Sequence, residues 1–333
     1  MEPSLSVRNL HVRFETREGT VRAINGVSFN LDDSEVLGIL GESGSGKSVS
    51  LRALVGLLPP GRTHLSGEIW FEGMNLVGLP ERDLNRIRGA KIAMIFQEPM
   101  VALDPVFTVG EQIAESIVRH EGVSWQAAMA RAKNLLDMVR IPSAVRRLKS
   151  YPHEMSGGMR QRAMVALALA CRPKLLLADE PTTALDVTVQ IQIILLLREL
   201  QRELGMAVIF VTHDVGVVAE ISDRIAVMYG GRFMEHGPAV KVIEQPRHPY
   251  TMGLLRSTVH GSRRGQRLDT IPGMPPDLAQ LAEGCAFAPR CRYVEDRCVS
   301  MLPELAMVDA QHESACLRVA NGSLTLEAPE LGG

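Results

Sequence analysis

Eight consecutive residues, Gly41-Glu42-Ser43-Gly44-Ser45-Gly46-Lys47-Ser48, have the types and spacing needed to hold a phosphate chain. They satisfy the pattern G-x-x-x-x-G-K-[ST] at every fixed position. Glycines let the backbone wrap a phosphate, so that N–H groups and a helix N-terminus face its negative charge. Lys47 supplies a mobile cation for the β- and γ-phosphates, and Ser48 supplies a hydroxyl ligand for Mg²⁺. The flanks agree with this chemistry. An apolar strand pattern, Val36–Leu40, enters the loop, and a helical pattern, Lys47–Leu57, leaves it.

Two further stretches carry related chemistry. Leu175-Leu176-Leu177-Ala178-Asp179-Glu180 reads as a buried strand ending in two carboxylates. Asp179 suits the holding of Mg²⁺ through water, and Glu180 the orienting of an attacking water. Strands often end in charge, so this signal gains its weight from the phosphate loop. Met155-Ser156-Gly157-Gly158-Met159-Arg160-Gln161-Arg162 opens an apolar helical stretch, with Ser156 lying 23 residues before Asp179. Ser-Gly-Gly at a helix start offers exposed N–H groups, a favourable dipole and a hydroxyl. The chain thus carries two surfaces suited to a γ-phosphate.

Four of the five cysteines, Cys285, Cys291, Cys298 and Cys316, are crowded together with five, six and seventeen intervening residues. The Cys-x-x-Cys pairs of zinc ribbons are absent, and disulfides are disfavoured in a cytosolic chain. Four thiolates are the usual complement of a [4Fe–4S] centre, which is the expectation here. Zinc, or four reduced thiols without a ligand, are the alternatives. Such a centre would be a structural staple, because metal binding can supply folding free energy. Cys171 reads as a small core residue.

The elements that must position these residues follow from apolar periodicity. Short strands are expected at Val36–Leu40, Glu68–Phe71, Ile92–Phe96, Leu175–Ala178, Val208–Val211 and Ile225–Met228. Helices such as Trp125–Met138 and Val187–Leu204 separate most of them. That alternation predicts an α/β fold with a mainly parallel sheet. Leu5–Phe14 and Val21–Leu31 alternate polar and apolar residues around a turn, which predicts an antiparallel β layer at the edge of the main sheet. Past Gln245, prolines punctuate the chain and the cysteines arrive. Residues 246–333 are therefore expected to form an appended region with little regular structure beyond a helix near Tyr250–Arg256.

In combination these motifs resemble the nucleotide-binding subunits of ABC transporters over residues 1 to about 245. Gln97 in Ile95-Phe96-Gln97-Glu98-Pro99 looks like the Q-loop glutamine. Ser156–Met159 resembles the family signature, with Met159 where many members have glutamine. Ala184-Leu185-Asp186 looks like the D-loop, and His213 in Val211-Thr212-His213-Asp214 looks like the switch histidine. The resemblance implies an ATP hydrolase with a P-loop core, a helical subdomain at about 98–170, and ATP and Mg²⁺ as ligands. It implies nucleotide contacts from Gly41–Ser48, Gln97, Ser156, Gly157, Gly158, Asp179 and Asp186, with Ser48 and Gln97 on Mg²⁺. Glu180, His213 and Gln97 take the catalytic roles, and Phe14 is the candidate to stack on adenine. Two such subunits would close head to tail over ATP and move attached membrane domains, with Gln97–Val106 the stretch to examine for permease contacts.

The tail narrows the resemblance. His248–Leu255, Ile271–Pro276 and Gly284–Cys291 look like the C-terminal extension of oligopeptide/dipeptide importer ATPases, whose members include some with an iron–sulfur cluster at the cysteine motif. This implies a second ATPase subunit, a paralogue, with two transmembrane permeases and an external substrate-binding protein. The expected location is peripheral, on the cytoplasmic face of the membrane. Importers of nickel or glutathione share parts of the pattern. A soluble ABC-type ATPase of DNA repair or translation is the alternative class, but those usually carry a long coiled coil or two phosphate loops.

Composition sets the outer limits. With 36 Lys+Arg, 38 Asp+Glu and a net charge of −2, the 333-residue chain lacks the basic excess of a nucleic-acid binder. Arg256, Arg263, Arg264 and Arg267 read as a solvated linker face. The apolar runs Ala163–Cys171 and Ile193–Leu197 fall short of the roughly 18 residues that span a bilayer. No signal peptide is apparent, so a cytosolic chain is expected.

Overall fold

A computed structural model describes residues 3–183, 185–257 and 270–326. Ala184 of the expected D-loop, and Arg263, Arg264 and Arg267, lie outside the described residues. The chain divides into two compact units. One comprises Met1–Leu31, Val36–Val77 and Val211–Gly333, the other Asp32–Glu35 and Gly78–Phe210.

The first unit opens with β1 (Leu5–Thr16) and β2 (Gly19–Leu31), paired antiparallel from Leu5 opposite Leu31 to Thr16 opposite Gly19. β3 (Val36–Leu40) is buried at all five residues, as a strand covered on both faces must be. It runs through the phosphate-loop residues into α1 (Lys47–Leu54). β4 (Thr63–Phe71) pairs antiparallel with β1, and β5 (Met74–Asn75) with β4. The resulting order β2-β1-β4-β5 is a sheet of its own. Glu68–Phe71, expected among the strands of the parallel sheet, belongs to this antiparallel layer because its register pairs it with Leu5–Arg8.

The second unit holds α2 (Glu81–Ile87), β6 (Ile92–Ile95), α3 (Pro99–Ala102), α4 (Val109–Glu121), α5 (Trp125–Met138), α6 (Ala144–Arg147) and α7 (Gly157–Ala168). β7 (Leu175–Asp179) and α8 (Val187–Leu204) follow, and β8 (Ala207–Thr212) leads out of it. β6 and β7 pair in parallel, in the order β8-β7-β6. α4 begins with a reciprocal capping box between Thr108 and Glu111 and buries Val109, Ile113, Ala114 and Ile117 on one stripe, packing on α5.

The chain re-enters the first unit with α9 (Val215–Ile221), β9 (Arg224–Tyr229), β10 (Arg232–Pro238), α10 (Ala239–Glu244) and α11 (Pro249–Arg256). α12 (Asp296–Ser300), β11 (Ala306–Asp309), β12 (His312–Ser314) and α13 (Leu317–Ala320) complete it. β9 pairs in parallel with β3 and antiparallel with β10, and the hairpin β11–β12 adds to β10 through Glu235–Ser314 and His236–Glu313. This hairpin is regular structure where the sequence suggested little. Its two strands are three and four residues long, and β11 is mostly exposed, so no apolar pattern marks them.

A buried hydrogen-bonded pair fastens the hairpin. Glu235 and His312 are both fully buried, with His312 Nε2 2.7 Å from Glu235 Oε1. Burial raises the Glu235 carboxyl, and the bonds from His312, Thr251 and the Arg247 N–H oppose that rise. Beside it, the rings of Tyr229, Tyr250 and Phe287 meet at 4.5 to 5.4 Å, and Leu40, Val227 and Leu254 share their core. His248 caps α11, its Nδ1 accepting from the Tyr250 N–H at 3.0 Å, and is itself 1% exposed. Burial pushes its pKa from 6.5 down to about 3.

The folded His248 therefore binds fewer protons than the unfolded one between these values. Its contribution is intact above pH 6.5 and shrinks as pH falls, by about 2 kcal/mol near pH 5. His248→Asn keeps a capping acceptor but cannot titrate. Thermal unfolding of that variant is expected to lose less stability than the parent between pH 7.5 and pH 5. Equal losses in the two proteins would refute the assignment.

Candidate active site

The sequence-predicted site residues fall on both units, and each set has its own geometry. In the first unit the phosphate loop follows β3 directly. Gly46 has φ 111°, and a Cβ there would stand 2.7 Å from the Ala23 carbonyl, so only glycine fits. Lys47 is 4% exposed. Its Nζ donates to the Gly41 carbonyl at 2.8 Å and to the Glu42 carbonyl at 2.9 Å, closing the loop across its own mouth. The Gly231 N–H donates to the Ser45 carbonyl, and Asn25 Nδ2 donates to the carbonyls of Arg22 and Gly230, which ties the loop to β2 and to the β9–β10 turn.

Two residues outside the phosphate loop grip Glu42. Its N–H donates to Tyr250 Oη at 2.9 Å. Its carboxylate accepts both Arg290 terminal nitrogens, Nη1 to Oε2 at 2.6 Å and Nη2 to Oε1 at 3.1 Å. Sequence reasoning assigned no role to either residue. The only signal was indirect: Tyr250 and Arg290 each sit in a stretch that marked the C-terminal extension. His213 is exposed between β8 and α9, beside Asp214, which caps α9 by accepting from the Gly216 and Val217 N–H groups. Phe14 is half-buried on β1, opposite Val21 and Thr63, while Phe29 is buried against Phe233.

In the second unit Asp179 ends β7 at 2% exposure. Glu180 follows in the left-handed region, φ 44°, a strained conformation for a residue with a side chain. Its Oε2 accepts from Thr183 Oγ1 at 3.0 Å and from Gln97 Nε2 at 3.4 Å, so the Q-loop glutamine and the expected water-orienting carboxylate meet. Ser156 caps α7, its hydroxyl accepting from the Met159 N–H, with Ser156 and Gly157 exposed. A Cβ on Gly158 would lie 2.9 Å from Val189, on the first turn of α8. Asp186 caps α8 by accepting from the Val189 N–H at 3.0 Å. The signature and D-loop residues thus sit on two packed helix starts.

Cys285, Cys291, Cys298 and Cys316 line a single small cavity of about 20 Å³ beside His248 and Phe287 in the first unit. Among the described residues no group of three or more His, Cys, Asp or Glu is placed to hold a metal ion. All four thiols are free, and burial pushes the Cys285 thiol to about 11 and raises Cys291 and Cys316. Cys171 is half-buried in the other unit, with its Sγ 3.7 Å from the Ser116 carbonyl.

Residues 24–183 match the family described as ABC transporter, and residues 234–298 match the oligopeptide/dipeptide transporter C-terminal region. The oligopeptide transport ATP-binding protein OppD of Haemophilus influenzae is 51% identical over 298 residues, which cover 90% of this chain and 92% of that protein. This chain belongs to the ABC transporter family. It is an ATP-hydrolysing subunit of that family, for which ATP and Mg²⁺ are the expected ligands. A putative peptide import ATP-binding protein of Brucella melitensis is 49% identical over 95% of this chain and 97% of its own length. Among solved structures, the dimeric post-hydrolysis state of the ATP-binding cassette MJ0796, bound to ADP and Pi, superposes with a TM-score of 0.64 at 30% identity. It covers 71% of this chain and 98% of that one. Among the described residues no helix is long and apolar enough to cross a membrane.

Lys47→Ala removes the buried cation that bridges Gly41 and Glu42. ATP binding, followed by titration with a fluorescent ATP analogue, is expected to weaken at least about tenfold. Parent-like affinity would exclude Lys47 from the site.

Proposed function

We propose that this chain is the ATP-hydrolysing subunit of a peptide importer, working at the cytoplasmic face of a membrane. The supporting observation is the joining, in one chain, of a phosphate-loop ATPase at residues 1–245 to a peptide-importer C-terminal region at 246–333, with OppD-like identity running through both. Membrane permeases and an external substrate-binding protein are the partners that this kind of subunit serves, with no role for nucleic acid.

The residues divide the work. Gly41–Ser48 cradle the triphosphate, with Lys47 on its outer oxygens. Ser48 and Gln97 would hold Mg²⁺, with Asp179 assisting through water, and the ion would supply positive charge against the phosphates. Glu180 orients the attacking water, Gln97 steadies Glu180, and His213 lies near the γ-phosphate. Phe14 stacks on adenine. Ser156, Gly157, Gly158 and Asp186 act on the nucleotide of a second ATPase subunit, arranged head to tail. Their exposed helix starts are suited to an incoming anion.

The four thiols around one cavity have the donor chemistry of a [4Fe–4S] centre, which would cross-link a lobe with little regular structure. Cysteine binds a metal as the thiolate, so loading such a centre would release protons.

Three outcomes test this reading. Glu180→Gln is expected to bind ATP normally and lower hydrolysis at least about a hundredfold, since the amide keeps the shape but loses the charge. Hydrolysis near the parent rate would remove Glu180 from catalysis. Detergent-solubilised membranes should yield the chain together with permeases of peptide-importer type, and purification without them would count against the importer assignment. Anaerobically purified protein should be brown, with iron and acid-labile sulfide near four per chain. A colourless, metal-free preparation would leave the cysteines as a packed apolar cluster.

A further inference from the structure

Glu42 is a carboxylate inside a loop built to receive a polyanion. Unpaired, it would repel every phosphate that the loop attracts, and the repulsion would be strong because the loop is partly buried. The structure answers this with one residue 248 positions away. Arg290 is 8% exposed and aims both terminal nitrogens at the two Glu42 oxygens, the bidentate geometry that best neutralises a carboxylate. The arginine is itself fixed. Its Nε donates to the Pro272 carbonyl at 2.8 Å, Nη1 also donates to Tyr229 Oη at 3.2 Å, and its guanidinium carbon stands 5.8 Å from the Tyr229 ring centre. The N–H of Glu42 is held by Tyr250 and its carbonyl by Lys47. All three polar groups of this loop residue therefore have assigned partners, and two of the three come from the C-terminal lobe.

We propose that Arg290 is a positioning residue for ATP binding: it cancels the charge of Glu42 and holds the mouth of the phosphate loop in its receptive shape. The C-terminal lobe is by this contact part of the nucleotide site. The proposal rests on the assignment of Gly41–Ser48 to the triphosphate, so Lys47→Ala is measured in parallel.

The test is MgATP affinity and steady-state hydrolysis by the full chain. Arg290→Gln is expected to raise the KM for ATP about tenfold, or about 1.4 kcal/mol, with kcat within about twofold, because the loss lies in ground-state binding. Arg290→Lys keeps the cation and should stay within about threefold of the parent. A role confined to bracing the Pro272 carbonyl would instead leave lysine as poor as glutamine. The double variant Arg290→Gln/Glu42→Gln removes the repelling carboxylate and should recover affinity to within about threefold of the parent. It also leaves no unpaired charge, so it tests the proposal even where Arg290→Gln alone does not fold. Parent-like KM in Arg290→Gln, a tenfold loss in Arg290→Lys, or a tenfold loss in the folded double variant would each overturn the proposal. Unchanged affinity in Lys47→Ala would instead overturn the site assignment, and the clamp with it.

Discussion

A polyphosphate site must offer many donors and little negative charge at one point of the backbone, and a loop of glycine and serine will not hold that shape unaided. Much of the first unit can be understood as the means of holding it. β3 delivers the loop from a strand buried at every residue. Asn25 on β2 spans the carbonyls of Arg22 and Gly230, and Gly231 bonds Ser45. Lys47, folded back on the Gly41 and Glu42 carbonyls, supplies positive charge and closes the turn at once. Backbone groups engaged in these bonds lose conformational freedom before any ligand arrives, which lowers the entropy cost of binding.

The second unit applies a different device. Ser156 and Asp186 each cap the helix that follows them, and Glu180 carries backbone strain directly after a buried strand. Helix starts and strand ends are where free N–H groups and turned side chains are available without breaking a ladder. Placing the chemistry there lets the cores of α7, α8 and β7 stay apolar. Gly158 shows how tight the arrangement is, since even one methyl group would crowd Val189.

How much of this was readable in the residues alone depended on range. Local, periodic features were readable: β3, α5 and α8 run where their apolar repeats place them, and the phosphate loop follows from eight adjacent residues. Gln97 and Glu180, assigned from separate motifs, meet at 3.4 Å. Features made by distant pairing were not readable. β4 looked like one more buried strand because its apolar run says nothing about which sheet will accept it. The β11–β12 hairpin is too short for a period to show. The Arg290–Glu42 pair joins positions that no spacing rule connects. The cysteines converge around one cavity, as their crowding suggests.

Tyr229 ends β9, and its ring is covered by Tyr250 and Phe287, which arrive from beyond α10. The consequence concerns modularity. An ATPase cassette is easily pictured as a cartridge that can be cut from its appendages, but a cut after Gln245 would strip Tyr229, leave the Glu42 carboxylate bare and open the core around Leu40. The tail and the phosphate loop thus share one core and one ion pair, and losing either partner of the Arg290–Glu42 pair leaves the other's charge uncompensated.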